Sequence, residues 1–221
     1  MASHLDLEEQ EQLAELKHFW NTYGNLISWV LIVVLGAYAA WNGWQYWQRH
    51  QATQAAALYD EVERSVSSRD VQRMQRSMTD MQERFASSMQ AQQATQLVAK
   101  AFAEQGKTAE AKAAWAWLVQ KASDPVYADV ARLRLASQAM QDKQYDQALE
   151  QLKGVSQAMQ GLAADMQGDV LQLQGKQVEA VAAYQKAWTQ LPQNTQYRRL
   201  LQAKLNALGV DPEAAVSETS K

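Results

Sequence analysis

The sequence predicts an all-α protein, with a single N-terminal transmembrane helix followed by an array of helical hairpins. Three observations carry this. The stretch from Phe19 to Gln48 contains no charged side chain. After Gly43 there is no glycine until Gly106 and no proline until Pro125, so long helices can run with little to break them. From Ala99 onward, three segments repeat the same internal offsets.

Composition sets the frame for these elements. The 221 residues are 47% hydrophobic, enough to bury a core and to exclude bulk disorder. Without cysteine there is no disulfide framework, no thiolate nucleophile and no zinc site built on sulfur, and the redox compartment goes unread. The formal charge is -3, with Asp6, Glu8, Glu9, Glu11 and Glu15 against Lys17 in an acidic N-terminal tail, residues 1–24. No basic patch is present, which argues against nucleic acid as a partner.

The first element is the stretch NLISWVLIVVLGAYAAWNGWQYWQ, residues 25–48, read as a transmembrane anchor. The aliphatic residues from Leu26 to Leu35 each favour insertion by roughly 0.3–0.6 kcal/mol, a few kcal/mol in total. Aromatic side chains gather at both ends, Trp20, Tyr23 and Trp29 before and Trp41, Trp44, Tyr46 and Trp47 after. Such rings favour the headgroup level. Tyr23 to Trp44 covers about 31 Å as a helix, against a hydrocarbon core of about 30 Å. Ala37 to Ala39 imitates a signal-peptide cleavage site, but the flank before it is acidic where a signal peptide is basic, and the uncharged belt continues past the cut. A buried core helix would need partners on every side. Gly36, Ala40 and Gly43 place small residues along the span at a spacing suited to packing against another membrane helix. Lys17 on one side and Arg49 on the other nearly balance, so the charges leave the orientation open.

Residues 49–209 form the second domain. Arg49 to Val66 continues the membrane helix outward, and Asp70 is placed as the N-cap of the next helix. That helix carries Met74, Met78, Met81 and Phe85 at helical spacing, a core stripe or else a pliable face for a partner. The repeats follow. The first has Ala99, Phe102, Gly106, Ala111, Trp115 and Leu118; the second Ala136, Ala139, Lys143, Ala148, Leu152 and Val155; the third Gly168, Leu171, Gly175, Ala180, Tyr184, Ala187 and then Pro192. The units are 37 and 32 residues apart, close to the 34-residue tetratricopeptide period. Lys143 stands where the other two units have the turn glycine. One hairpin cannot bury its own apolar face, so the units must stack into a tetratricopeptide-like helical-hairpin array, capped by a helix from Gln196 to Leu208 that stops at Gly209. Residues 210–221 have the composition of a flexible C-terminal tail.

The chemistry inventory points away from an enzyme. His4, His18 and His50 all precede the repeats, the nine glycines make no phosphate-cradling loop, and no residue pattern calls for a metal, a cofactor or a small-molecule substrate. Asp165 and Asp169 share a helix face at i, i+4 and read as a solvated acidic pair. What remains is a protein-binding surface. Stacked hairpins bind along the side formed by their first helices, where the register places Lys100, Glu104, Ser137, Met140, Gln141, Asp169 and Gln172 as the candidate peptide groove.

The order of motifs adds a resemblance. EQEQ followed by KHFW, the juxtamembrane GWQYWQ, AADMQGDVLQLQGKQVEAVAAYQKAW at residues 163–188 and the closing LLQAKLNAL together resemble the YfgM family of ancillary subunits of the bacterial SecYEG translocon, over nearly the whole chain. The resemblance implies a single-pass inner-membrane protein with a cytoplasmic N-terminus and a periplasmic repeat domain. It implies association with SecYEG and with the membrane-anchored periplasmic chaperone PpiD, and help to newly exported polypeptides on their way to periplasmic chaperones. It brings no catalytic residues. Two other readings fit the residues: a repeat scaffold organising another envelope complex, and a membrane-tethered cytoplasmic regulator.

Overall fold

The computed structural model describes residues 7–192 and 196–213, with side chains from residue 11 onward. It is helical, with no strand among the described residues. The chain divides between Thr53 and Gln54 into two compact units.

The first unit is formed by helix α1, Leu7–Ser67, as far as Thr53. Residues 7–24, expected as a tail, are therefore helical and continuous with the apolar stretch. The helix is long and apolar enough to cross a membrane. Its large apolar side chains are uncovered, Val33 being 64% exposed and Leu35 63%, which water would penalise and lipid would not. Asn42, a polar residue in the span, donates its amide to the Tyr38 carbonyl at 2.8 Å, the kind of internal pairing a lipid environment requires. Phe19 and Tyr23 approach with ring centroids 5.2 Å apart, and Trp44 and Trp47 at 5.4 Å.

The second unit, from Gln54 on, is the hairpin array. The last turns of α1 pair with α2 (Val71–Arg84), α3 (Met89–Glu104) with α4 (Thr108–Lys121), α5 (Pro125–Gln141) with α6 (Tyr145–Lys153), and α7 (Gln160–Leu173) with α8 (Gln177–Gln190). A short 3₁₀ turn, Gln157–Met159, leads into α7, and α9 (Tyr197–Ala207) closes the array against α8. Helix starts follow local chemistry. Asp70 accepts from the Arg73 N–H at 3.1 Å, Ser88 from the Ala91 N–H at 3.1 Å, and Asp124 from the Val126 N–H at 2.9 Å with Pro125 in the first turn.

Five helix ends close in the same way. Gly106, Gly175 and Gly209 adopt φ of +71°, +77° and +79°, and Lys143 and Arg69 adopt 60° and 54°. After each, a backbone N–H reaches back five residues: Lys107 to the Phe102 carbonyl at 2.8 Å, Gln144 to Ala139 at 2.8 Å, Lys176 to Leu171 at 2.9 Å, Val210 to Leu205 at 3.0 Å and Asp70 to Ser65 at 3.3 Å. Lys143 thus takes the left-handed conformation of the missing glycine. Arg69 lies 37 residues before Gly106, the interval that also separates Gly106 from Lys143. The array therefore has a further hairpin ahead of the three read from the sequence.

Packing follows the repeat. Val62, Met74, Met78, Met81, Phe85, Phe102, Trp115 and Leu118 belong to one core cluster, so the methionine stripe is core. Leu152, Val155 and Val170 center a second cluster, and Tyr184, Trp188, Leu201 and Leu205 a third. Buried polar residues fasten the linkers between hairpins. Gln92 accepts from the Asp124 N–H at 3.0 Å and donates to Ser123 Oγ at 2.7 Å, while Asp129 accepts from the Ser156 N–H at 2.9 Å and from its hydroxyl. At the corresponding place in α7 stands Gly161, against which Leu191 of the next linker packs; a Cβ there would lie 2.9 Å from Leu191 Cγ.

Candidate functional site

In the array α3 touches α5 and α5 touches α7, whereas α4, α6 and α8 make no comparable contact with one another. The first helices are therefore on the inner side of the stack, the side on which a repeat array offers its binding surface. Two cavities open there. One of about 320 Å³ is lined by Gln96, Lys100, Ala103 and Glu104 of α3, Trp115 of α4 and Arg134 of α5. The other, of about 460 Å³, is lined by Val130, Leu133, Arg134 and Ser137 of α5, Met159 before α7, Leu162 and Met166 of α7, and Tyr197 of α9. Arg134 belongs to both.

The residues expected in the groove divide. Lys100 and Glu104 line the first cavity and pair with each other at 3.7 Å; Ser137 lines the second. Met140 packs against the second core cluster, and Gln141 is exposed in the last turn of α5. Asp169 and Gln172 are engaged within the array. The Tyr184 hydroxyl donates to Asp169 Oδ1 at 2.7 Å and lies 3.0 Å from Gln172 Oε1. The cavities are lined chiefly from the middle of the first helices, at Gln96, Arg134 and Met166, a turn or more before most of the expected positions. Their signal in the sequence was the same register read further from the turn, Leu133 standing 37 residues after Gln96 and Met166 32 residues after Arg134.

Asp165 corrects an expectation. It is 1% exposed rather than solvated, because α9 lies over this face of α7. Lys204 of α9 donates to Asp165 Oδ1 at 2.8 Å and Oδ2 at 3.0 Å, and to Asp169 Oδ1 at 2.6 Å. The Tyr197 hydroxyl also donates to Asp165 Oδ2. Burial first, then the hydrogen bond to Asp169, pushes the Tyr184 hydroxyl well above the usual tyrosine range; burial and Asp165 do the same for Tyr197. Both phenols are held as protonated donors, which suits fastening a helix and not taking a proton from a substrate. Among the described residues no cluster of histidine and acidic side chains could hold a metal ion.

Gly36, Ala40 and Gly43 lie on α1 in the first unit. A Cβ at residue 36 or 43 would meet nothing within 4 Å, so both positions are open.

Comparisons with known proteins agree with this architecture. The profile of the tetratricopeptide repeat-like domain family matches residues 17–210. An ancillary SecYEG translocon subunit from Neisseria gonorrhoeae (strain ATCC 700825 / FA 1090) is 30% identical over 210 residues, covering 94% of this chain and 100% of the relative. No solved structure matches.

Proposed function

The chain belongs to the YfgM family of ancillary SecYEG translocon subunits, built on a tetratricopeptide repeat-like domain, and from that premise we propose that it is a non-catalytic adaptor of the Sec translocon. Residues 25–48 anchor it in the inner membrane with the N-terminus cytoplasmic, and residues 49–209 form the periplasmic domain. That domain binds newly exported polypeptides and, with PpiD, helps pass them to periplasmic chaperones. The observation that carries the reading is the combination on one chain of an uncovered apolar helix with a hairpin array. An anchor beside the channel raises the local concentration of the array where polypeptides emerge, so weak and unselective binding suffices. Gly36, Ala40 and Gly43 are the face through which α1 packs against a membrane partner.

Four measurements test this. Protease added to spheroplasts should digest the array, and a reporter fused after Lys221 should be active in the periplasm; protection in intact spheroplasts would sink the orientation. Mild detergent extraction should bring SecYEG with the chain. A photocrosslinker at Ser137 should capture secreted polypeptides during export. Capture of fixed envelope partners alone would favour a scaffold instead.

A further inference from the structure

The two inner-face cavities differ in what they lack. In the smaller one Gln96 Oε1, an acceptor, and Trp115 Nε1, a donor, are buried and have no hydrogen-bond partner. Trp115 is only 5% exposed, so bulk water does not serve its N–H. Native proteins pair the great majority of buried polar atoms, and two orphans lining one cavity are therefore a signal. One acceptor and one donor lining the same cavity are the complement of the N–H and C=O that a single residue of an extended chain turns to the same edge. The fixed charges nearly balance, since Lys100 and Glu104 pair with each other and leave Arg134, shared by both cavities, as a single net positive charge in the lining. The larger cavity is lined mainly by apolar side chains, among them Leu133, Leu162, Met159 and Met166, and methionine adapts to differing shapes.

We propose that the two cavities together hold one extended stretch of non-native polypeptide. The main-chain N–H and C=O of one residue pair with Gln96 Oε1 and Trp115 Nε1, and a bulky apolar side chain enters the cavity of Met159 and Met166. An extended chain advances about 3.3 Å per residue, so groups a few residues apart reach cavities that share Arg134. This rests on the client-binding part of the adaptor reading and adds the features that are recognised. Unpaired main chain and an apolar side chain are what any unfolded segment exposes and a folded protein hides, so clients are chosen by state and not by sequence.

The test uses the full chain in nanodiscs and a fluorescein-labelled, acetylated hexapeptide of alternating leucine and alanine, read by anisotropy. The peptide should bind, and N-methylation at alternate residues or replacement of its leucines by alanine should each weaken it. Trp115→Phe and Gln96→Met should each weaken binding roughly five- to tenfold, the loss expected for one hydrogen bond. Gln96→Met should change nothing further for the peptide methylated on the edge that pairs with it. In the unaltered chain the Trp115 indole N–H resonance should shift on adding peptide, a readout independent of how the variants fold. Binding that ignores N-methylation and both variants, with an unmoved indole resonance, would overturn this inference while leaving client binding intact; Gln96 and Trp115 would then serve each other or a water. Failure of the unaltered chain to bind the peptide at all would remove the client-binding reading together with the inference. Association with SecYEG would still be judged separately by co-purification.

Discussion

The ring of Tyr184 fills the space beside Gly168 that a side chain would need. A Cβ on residue 168 would lie 2.5 Å from Tyr184 Cδ1 and 2.8 Å from Cζ, well inside contact distance. In an exposed helix, glycine to alanine ordinarily stabilises by about 0.5–1 kcal/mol. Here the overlap is with a ring that is fully buried and cannot step aside, and overpacking of about 1–3 kcal/mol decides the sign. Gly168→Ala should lower the urea midpoint of the array, and unchanged or higher stability would contradict this packing.

Lys143 adopts the conformation that Gly106 and Gly175 adopt in the neighbouring turns, with φ of 60°. A side chain in the left-handed region costs about 1–2 kcal/mol, offset in part by the smaller backbone entropy that lysine loses on folding. Lys143→Gly is expected to stabilise by about 0.5–1 kcal/mol, seen as a higher melting temperature. Gly175→Ala should do the reverse.

These two positions also mark what the sequence makes legible. Small residues at 99, 136 and 168, facing Trp115, Leu152 and Tyr184, are a local pattern, and so is the turn glycine. The earliest hairpin was hidden because Val62 and Met74 fill the places that hold Ala or Gly in the others, although Arg69 keeps the interval. Asp165 was misread for another reason. An i, i+4 acidic pair looks solvated unless its cover is known, and the cover is Lys204 and Tyr197, more than 30 residues later. The groove residues required the crossing of α3, α5 and α7, which periodicity alone does not supply.

Lys204 is the cation between Asp165 and Asp169, itself 21% exposed while Asp165 is 1% exposed. Removing one partner of a buried pair leaves an uncompensated charge, a loss of about 3–5 kcal/mol for a fully buried pair and less here because Lys204 reaches the surface. Lys204→Met should therefore destabilise by about 2–3 kcal/mol. Asp165→Asn added to it should recover part of the loss. Chemical denaturation of the four proteins in the cycle measures the coupling.

Alkali should loosen the same corner. Unfolded tyrosines lose their protons near pH 10, whereas burial and the carboxylates Asp169 and Asp165 hold the Tyr184 and Tyr197 hydroxyls protonated to higher pH. The stability they contribute is complete below pH 10 and declines above it, by up to about 1.4 kcal/mol per pH unit for the fully buried Tyr184. Denaturation midpoints should fall between pH 10 and 11, and less steeply in Tyr184→Phe.

The anchor is the most sensitive to a single charge. Its aliphatic centre from Leu26 to Leu35 favours insertion by only about 2–5 kcal/mol, and one arginine at mid-span opposes it by about 3 kcal/mol. Val33→Arg therefore brings insertion close to balance, and a large share of the chain should become extractable by alkaline carbonate. Val178, 85% exposed in the hairpin array, is the control. Val178→Arg should leave extraction unchanged, since that residue faces water already. Equal extraction of both variants would mean that the chain is held in the membrane by something other than its apolar helix.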